Sequence, residues 1–443
     1  MKNITEFVSQ HIGDDTATLI LNRDRWPEID INLAVNCIES RRKLKGKLPE
    51  WLEYEEIIFP ARLSAEQCSG SRAARYKTDL AERIAGNPQW KIADLTGGLG
   101  VDSWSFSQKA SEVLYCEMQK ALCDAAIHNF KVLGSGNISV RNCMTGSERI
   151  PEAERPEGFA TPEQTISGFS PDIVYMDPAR RSETGRKVFL IEECSPDVLT
   201  LKEEIFRHCR HILLKLSPMA DISMVCERLG KCCREVHVVS VGDECKELLV
   251  WMDREWDGEY SITASELRTG TADSLTFNQL QERQAIARIA GPEDIRMNGL
   301  VLFEPGKALM KAGAFNIAGE LSGMKKLGVS THYYIGTPEQ AGRLVSLGKV
   351  FRIIRCVPLD KKSLKEAGKD FPDADVTARN LPADTETYRK KMKNGPKGSS
   401  GPSSGVHIFC LRSDKAGALL IAAERILSSG VQDGGGQAQP SQG

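Results

Sequence analysis

The sequence predicts an α/β protein built around a doubly wound, mostly parallel sheet. Between residues 91 and 252, short apolar runs typical of buried strands alternate with helical stretches. The last two runs are separated by only five residues, 242–246, which is too short for a crossover helix, so they should pair as an antiparallel hairpin. A glycine-rich stretch at 97–100 separates the first strand from the first helix.

The central part of the chain, residues 89–258, accounts for seven predicted strands and four long helices. The strands are short, largely apolar runs, and the helices carry apolar groups at helical spacing. The strands are predicted at 91–95, 112–116, 138–141, 172–176, 212–216, 236–241 and 247–252, and the helices near 102–109, 120–133, 196–208 and 222–229.

The segment that precedes this sheet, residues 1–88, is predicted to be helical. Apolar groups recur at helical spacing over 31–38, and residues 71–84 continue in the same manner. The dipeptide Asn87-Pro88 should end the last helix and introduce the first strand.

The segments that follow the sheet differ from it in composition. Residues 259–298 are rich in Gln, Arg and Glu and are predicted to be a connector with a helix at 280–289. Two small α+β modules with antiparallel sheets are expected at 299–348 and 349–427, and the Gly-, Gln- and Ser-rich tail 428–443 should be disordered. Their strands are predicted at 300–304, 331–335, 350–358, 375–379 and 406–411, and their helices at 307–321, 337–347, 361–367 and 384–392.

The composition is that of an ordinary globular protein, with 41% hydrophobic and 27% charged residues in 443. No run of about 20 apolar residues occurs, so no membrane span is predicted, and the N-terminus does not resemble a signal peptide. The 13 cysteines are scattered without a C-x-x-C pair, which favours free thiols in a reducing cytoplasm. Neither the cysteines nor the histidines have metal-ligand spacing, and no metal is expected.

The charge is distributed unevenly along the chain. Its net value is −2, but residues 291–443 hold 22 Lys and Arg against 15 Asp and Glu, a formal +7, which leaves −9 for residues 1–290. Basic residues cluster over 361–369 and 389–397. These clusters either bind a nucleic-acid backbone or are solvated faces of helices.

An acidic residue, a glycine-rich turn and a second acidic residue follow the first two strands. The stretch Asp94-Leu-Thr96-Gly97-Gly98-Leu-Gly100-Val-Asp102 is followed by Glu117, which ends the second strand. The turn is neither G-x-G-x-x-G nor a Gly-Lys-Ser/Thr phosphate loop, yet glycines permit close approach of a ligand, and an acid placed like Glu117 can accept both ribose hydroxyls. A nucleoside cofactor is therefore favoured over a plain strand-to-helix turn.

A second motif, Asp177-Pro178-Ala179-Arg180-Arg181, closes the fourth strand. In doubly wound sheets, ligands bind at the carboxyl ends of the strands. Asp177 should therefore lie beside the glycine turn although 83 residues separate it from Asp94. The alternative interpretation is a tight loop that merely follows a strand.

These motifs resemble class I S-adenosylmethionine methyltransferases, whose sheet is Rossmann-like with an antiparallel terminal hairpin. The chain is similar in particular to a bacterial family with ferredoxin-like and THUMP-like domains after the catalytic domain. Stretches 214–219 (LKLSPM), 303–314 (FEPGKALMKAGA) and 379–382 (RNLP) carry that similarity. The family implies S-adenosyl-L-methionine as cofactor and RNA as substrate. The loop at 94–100 is also similar to that of a ribosomal RNA methyltransferase that modifies the guanine exocyclic amine, which favours guanine as the target.

The resemblance assigns roles to residues by position. Amino-methyltransferases have Pro-Pro and an aromatic residue after the acid, whereas this chain has Pro-Ala-Arg, so the target atom stays open. The assigned catalytic residues are Asp177, Pro178 and Arg180; the cofactor-binding residues are Asp94, Thr96, Gly97, Gly98, Gly100, Asp102, Glu117, Asn142 and Lys77; the substrate-binding residues are Arg181, Lys215, Ser217, Lys390, Lys391 and Lys393.

The leading hypothesis is a cytoplasmic, monomeric methyltransferase that modifies a base amino group in structured RNA, either ribosomal or transfer RNA. The acidic N-terminal part would hold the cofactor, and the basic modules would bind the RNA backbone. A protein or small-molecule substrate is one alternative. A module that binds the cofactor without transferring its methyl group is another, although such a module would not need an acid at Asp177.

Overall fold

The chain forms two compact units. In the computed structural model, the first unit comprises Met1–Val241 and Lys246–Ser261, and the second comprises Gly242–Cys245 and Ile262–Gly443. The structure describes residues 2–180, 191–268, 271–392 and 405–426. The tail 428–443, predicted to be disordered, lies outside the described residues.

The first unit begins with six helices, as the helical spacing predicts. Aspartates cap two of them, because Asp15 and Asp30 accept hydrogen bonds from backbone N–H groups in the first turns of α2 and α3. Trp51 and Phe59 are fully buried in the apolar core of this region. The helices are α1 (Lys2–Gln10), α2 (Thr16–Leu21), α3 (Ile31–Leu44), α4 (Pro49–Leu52), α5 (Arg62–Gln67) and α6 (Ser71–Ala85).

Seven strands of the same unit lie side by side in one sheet. Their order is β10-β11-β9-β6-β1-β2-β3, with β1, β2, β3, β6 and β9 parallel and β11 antiparallel to β9. The strands of the unit are β1 (Lys91–Asp94), β2 (Glu112–Glu117), β3 (Ile138–Asn142), β4 (Met144–Thr145), β5 (Phe159–Ala160), β6 (Ile173–Met176), β7 (Ala179–Arg180), β8 (Cys194–Ser195), β9 (His211–Leu216), β10 (Cys233–Val241) and β11 (Glu244–Asp253). The helices are α7 (Val101–Ser107), α8 (Lys120–Val132), α9 (Pro162–Ile166), α10 (Val198–Ile205) and α11 (Ile222–Leu229).

The predicted Rossmann-like sheet with a terminal hairpin is confirmed, and its strands lie within three residues of their predicted ends. The largest difference is at the hairpin, where β10 and β11 are longer than predicted. Gly242 and Asp243 both have positive φ, 61° and 67°, as a two-residue hairpin turn requires. The link between the strands is therefore shorter than the five residues that the sequence indicates.

The second unit begins with two strands in the segment predicted to be a connector. These are β12 (Ser261–Arg268) and β13 (Thr271–Asn278), followed by α12 (Gln279–Gln284) and α13 (Pro292–Ile295). The helix predicted at 280–289 is present in part as α12, but β12 and β13 were not predicted from the sequence. Every residue from Ile262 to Leu267 is buried, polar ones included, so β12 lacks the apolar–polar alternation that identifies a half-buried strand.

A second sheet of seven strands contains residues of both predicted modules, because β14 and β17 pair antiparallel. Its order is β15-β16-β14-β17-β20-β19-β18, and β18 is parallel to β19. The predicted helix 307–321 is divided in two, since Gly313 has φ +76° at the end of α14. The remaining elements are β14 (Val301–Pro305), α14 (Lys307–Ala312), α15 (Asn316–Ser322), β15 (Lys325–Lys326), β16 (Tyr334–Gly336), α16 (Pro338–Gly342), β17 (Gly348–Pro358), α17 (Lys361–Asp370), β18 (Asp375–Arg379), α18 (Thr385–Lys391), β19 (Val406–Ser413) and β20 (Gly417–Ile426).

Each face of this sheet carries its own apolar core. Phe409 and Leu411 of β19 belong to one cluster, whereas Ile408 and Cys410 belong to the other. Alternate residues of a strand point to opposite faces, so the sheet is covered on both sides.

Candidate active site

In the glycine turn after β1, a side chain at two of the glycine positions would collide with neighbouring aromatic rings. A Cβ atom at Gly97 would lie 2.2 Å from the Tyr115 ring, and one at Gly100 would lie 2.7 Å from Phe130. Gly98 and Gly100 also have positive φ, 54° and 88°. The Tyr115 hydroxyl donates to the carbonyl of Gly98 at 2.6 Å, which holds the turn against β2.

The two acids that flank this turn are both buried. Asp94 accepts hydrogen bonds from Ser103 Oγ at 2.6 Å and from the Thr96 N–H at 3.0 Å. Burial raises the pKa of Asp94 to about 7, against these two bonds, which lower it. Glu117 accepts the N–H of Gly98 at 2.9 Å and that of Gln119 at 2.8 Å, so its carboxylate is fixed directly beside the turn.

Asp177 lies at the same end of the sheet as the glycine turn. The strands β1 and β6 are parallel neighbours, with Asp94 paired to Tyr175. The N–H of Asp177 donates to Thr96 Oγ1 at 2.6 Å, and its Oδ2 atom accepts from Lys215 Nζ at 2.6 Å. Two motifs that are distant in sequence thus meet at one point. Arg181 and the side chain of Arg180 lie outside the described residues.

A cavity of about 250 Å³ opens at this point. Four carboxylates line it, those of Asp94, Asp102, Glu117 and Asp177, together with the glycine turn. Among the described residues that line it there is no Lys, Arg or His. The arrangement suits a cationic ligand and disfavours phosphate groups, since like charges repel strongly in a site of reduced dielectric.

Three further segments line the cavity and were not identified from the sequence. The helical N-terminal region contributes residues between Ser64 and Ser69, the segment after β3 contributes Cys143–Thr145, and β8 contributes Ser195 with Pro196. Of these segments, only residues 143–145 could have been predicted from the sequence, because they follow the carboxyl end of a parallel strand. The helical spacing around residues 64–69 gives no indication that they line a ligand site.

Several predicted site residues support the cavity without lining it. Lys77 is fully buried and lies 2.7 Å from Glu247 and 3.3 Å from Asp102. The Asn142 amide donates to the carbonyls of Glu117 and Met118 at 2.8 and 3.0 Å, so it fixes the end of β2.

The remaining predicted catalytic and substrate-binding residues lie in different places. Ser217 accepts the N–H of Met219 at 3.2 Å within the turn after β9. Lys390 and Lys391 are exposed on α18 of the second unit, and Lys393 lies outside the described residues. Pro178 follows Asp177 and is partly buried.

The described part of the chain offers neither a candidate metal site nor a candidate membrane span. Its side chains include no group of three or more His, Cys, Asp or Glu residues that could hold a metal ion. None of its helices is both long and apolar enough to span a bilayer.

Comparison with known proteins identifies the C-terminal domains. Residues 348–425 match the model of a THUMP domain-like family, and residues 302–340 match that of a ferredoxin-like domain. A search of curated protein sequences gives no significant match. This chain therefore combines a sheet of the class I methyltransferase type with ferredoxin-like and THUMP-like domains.

Solved structures include a protein that is similar to nearly the whole of this chain. A crystal structure from Porphyromonas gingivalis W83, described as a "putative methyltransferase", is 28% identical, covers 96% of this chain and 97% of its own, and has a TM-score of 0.76. A Pyrococcus horikoshii "putative RNA methyltransferase" is 20% identical over 33% of this chain and 60% of its own, with a TM-score of 0.23. A T. thermophilus 16S rRNA methyltransferase, solved with AdoMet and guanosine, is 12% identical over 44% and 46%, with a TM-score of 0.31.

Proposed function

We propose that this protein is a methyltransferase that uses S-adenosyl-L-methionine to methylate a base amino group, with guanine favoured, in structured RNA. The observation that carries the proposal is the single cavity that contains both the glycine turn and the Asp177 carboxylate. One motif would bind the cofactor and the other would hold the acceptor, so the two reactants would meet in one place.

The residues of the cavity fit the proposed cofactor. S-adenosylmethionine carries a sulfonium and an ammonium group, and the carboxylates of Asp94, Asp102, Glu117 and Asp177 complement positive charge. Glu117 would accept the ribose hydroxyls, and the glycines at 97–100 would let the backbone approach the methionine part closely. When bound, the cofactor supplies an activated methyl group on a sulfonium.

Asp177 is the group proposed to hold the acceptor. Its side chain is 39% exposed toward the cavity, unlike the buried Asp94. The carboxylate would accept a hydrogen bond from an exocyclic –NH₂ and orient the nitrogen lone pair toward the methyl group. Because the donor is already activated, positioning should supply most of the rate.

Two observations favour RNA as the acceptor. The THUMP-like match covers residues 348–425, and residues 291–443 carry a formal +7 while residues 1–290 carry −9. Exposed lysines such as Lys390 and Lys391 would bind phosphates and give salt-dependent affinity without reading bases. We further propose that the protein acts in the cytoplasm as a monomer.

The test is transfer of a tritiated methyl group from the cofactor into separate fractions of total RNA, protein and metabolites. Label in RNA, recovered in a methylated guanosine on nucleoside analysis, is the expected outcome. Label in protein or metabolites would instead support the alternative acceptors. Measurable cofactor binding with no label in any fraction would leave a binding module without transfer activity.

A further inference from the structure

A buried network of charged groups lies beneath the cavity and includes residues outside the cofactor motifs. Lys77 Nζ is 2.7 Å from Glu247 Oε1 and 3.3 Å from Asp102 Oδ1. Lys215 Nζ is 2.6 Å from Asp177 Oδ2 and 4.0 Å from Glu247 Oε2. Three carboxylates thus share two ammonium groups, and Glu247 stands between the lysines. Removing one member of such a network leaves the others uncompensated.

We propose that Lys215 is a positioning residue that holds the Asp177 carboxylate, and that Glu247 holds Lys215 in turn. This inference rests on the proposed function of Asp177. Lys215 has a side chain that is only 12% exposed, and it is not among the residues that line the cavity. Its ammonium is therefore directed at Asp177 and Glu247, and contact with substrate is left to Asp177.

The hydrogen bond from Lys215 leaves one oxygen of the Asp177 carboxylate free to bind an acceptor. Lys215 occupies Oδ2, and no other described residue donates to the carboxylate, so Oδ1 remains available for an amino hydrogen. The fixed Oδ2 limits rotation of the carboxylate, which is the condition for orienting an acceptor. The free lone pairs of Oδ1 can accept a hydrogen bond from the –NH₂ group of the acceptor.

The charges around Asp177 explain why a cation is needed there. Burial lowers the pKa of Lys215, but the carboxylates of Asp177, Asp102 and Glu247 outweigh burial and raise it, so the lysine stays charged. Without that charge, the carboxylates would repel one another. The titratable groups that face this position include Lys215 on β9, Asp94 on β1, Asp102 on α7, Tyr175 on β6, Lys77 on α6 and Glu247 on β11, with Lys47 and Cys68 of the helical N-terminal region.

The helical N-terminal region completes this network. Lys77 lies on α6, and Ser69 precedes that helix; Lys77 Nζ donates to Ser69 Oγ at 2.9 Å, and Ser69 Oγ donates to Asp102 Oδ2 at 2.9 Å. Lys77 is the residue that holds Glu247, with both carboxylate oxygens of Glu247 within 2.9 Å of its ammonium. The positioning of Asp177 thus depends on residues before the sheet.

The test compares Lys215→Met and Lys215→Arg with Lys202→Met, which removes a lysine of nearly equal exposure, 13%, that does not line the cavity. We expect Lys215→Met to lower kcat by about a hundredfold while the affinity for S-adenosylmethionine stays within a few-fold. Lys215→Arg keeps the positive charge and should retain most of kcat, and Lys202→Met should leave both quantities unchanged.

A measurement that needs no activity separates this inference from the proposed function. Carboxyl-¹³C aspartate NMR, assigned with Asp177→Asn, compares the carboxylate resonance of Asp177 in the native protein and in Lys215→Met. An unchanged resonance would overturn the pairing. A shifted resonance in a protein that labels no RNA, protein or metabolite would leave the pairing intact and refute the proposed function. If Lys215→Met does not fold, as judged by circular dichroism, Glu247→Gln should move the same resonance in the same direction by less, and no movement there would equally overturn the pairing.

Discussion

Two sets of charged residues, one in each unit of this protein, lie in opposite environments. In the first unit, Lys77 and Glu247 are 0% and 3% exposed and lie 2.7 Å apart beneath a cavity. In the second unit, the lysines of α17 and α18 project into solvent from helices whose other faces are buried. Buried charges must be paired and therefore have fixed geometry, whereas exposed charges act over a Debye length and are screened by salt. Substitutions in the first unit should change single steps, and those in the second should change salt-dependent binding.

The largest effect is expected from Asp177→Ala. Loss of the carboxylate removes the group proposed to orient the acceptor, so kcat should fall by roughly a thousandfold. Cofactor affinity should stay within a few-fold, because the glycine turn and Glu117 are unchanged. Single-turnover transfer and calorimetric titration with S-adenosylmethionine measure the two quantities.

Asp172 provides a control for this prediction, because it precedes β6 whereas Asp177 follows that strand. Its Oδ2 atom accepts the N–H of Lys91 at 2.8 Å, far from the carboxyl end. Asp172→Ala should lower stability and leave kcat unchanged. A large loss of cofactor affinity in Asp177→Ala would contradict the division of roles.

In the first unit, part of the candidate site could be predicted from the sequence and part could not. The strands, the glycine turn and the meeting of Asp94 with Asp177 were predictable, because parallel strands bring their carboxyl ends to one edge of a sheet. The pairing of Lys77 with Glu247 could not be predicted, because it depends on how α6 packs against the sheet. These two residues are 170 positions apart in the sequence. In the second unit, β12 was missed because both of its faces are buried, and no alternation remained to be detected.

A smaller effect is expected from Gly97→Ala. The added methyl group would lie 2.2 Å from the Tyr115 ring, and overpacking of this kind costs about 1–3 kcal/mol. The turn should shift, and cofactor affinity should fall at least about tenfold, as 1.4 kcal/mol corresponds to tenfold in an equilibrium constant. Gly136→Ala is the matched change, since a Cβ there meets nothing within 4 Å. Equal cofactor affinity in both variants would mean that the turn does not contact the cofactor.

Asp94 provides a test of buried charge through pH. Its folded-state pKa is about 7, above the usual value near 3.9 for an unfolded chain, so between these values the folded state holds a proton that the unfolded state lacks. Stability should therefore fall as pH rises through this window and level off above it. Relative to Asp94→Asn, the native protein should lose about 2 kcal/mol in the free energy of unfolding between about pH 5.5 and 7.5. A constant difference between the two proteins in denaturant titrations would show that Asp94 stays ionised.

The smallest effect concerns α18 of the second unit, where Lys390 and Lys391 are exposed to solvent. Replacing both Lys390 and Lys391 with Ala should weaken binding to total RNA by about tenfold at low salt and reduce the slope of log affinity against log salt by about two. The control is the double replacement of Lys120 and Lys131, which lie on α8 of the first unit. That control should leave both quantities unchanged, because the first 290 residues carry a formal −9. An equal loss in the control would mean that RNA responds to the net charge of the whole chain, and the contrast between the units would then concern stability alone.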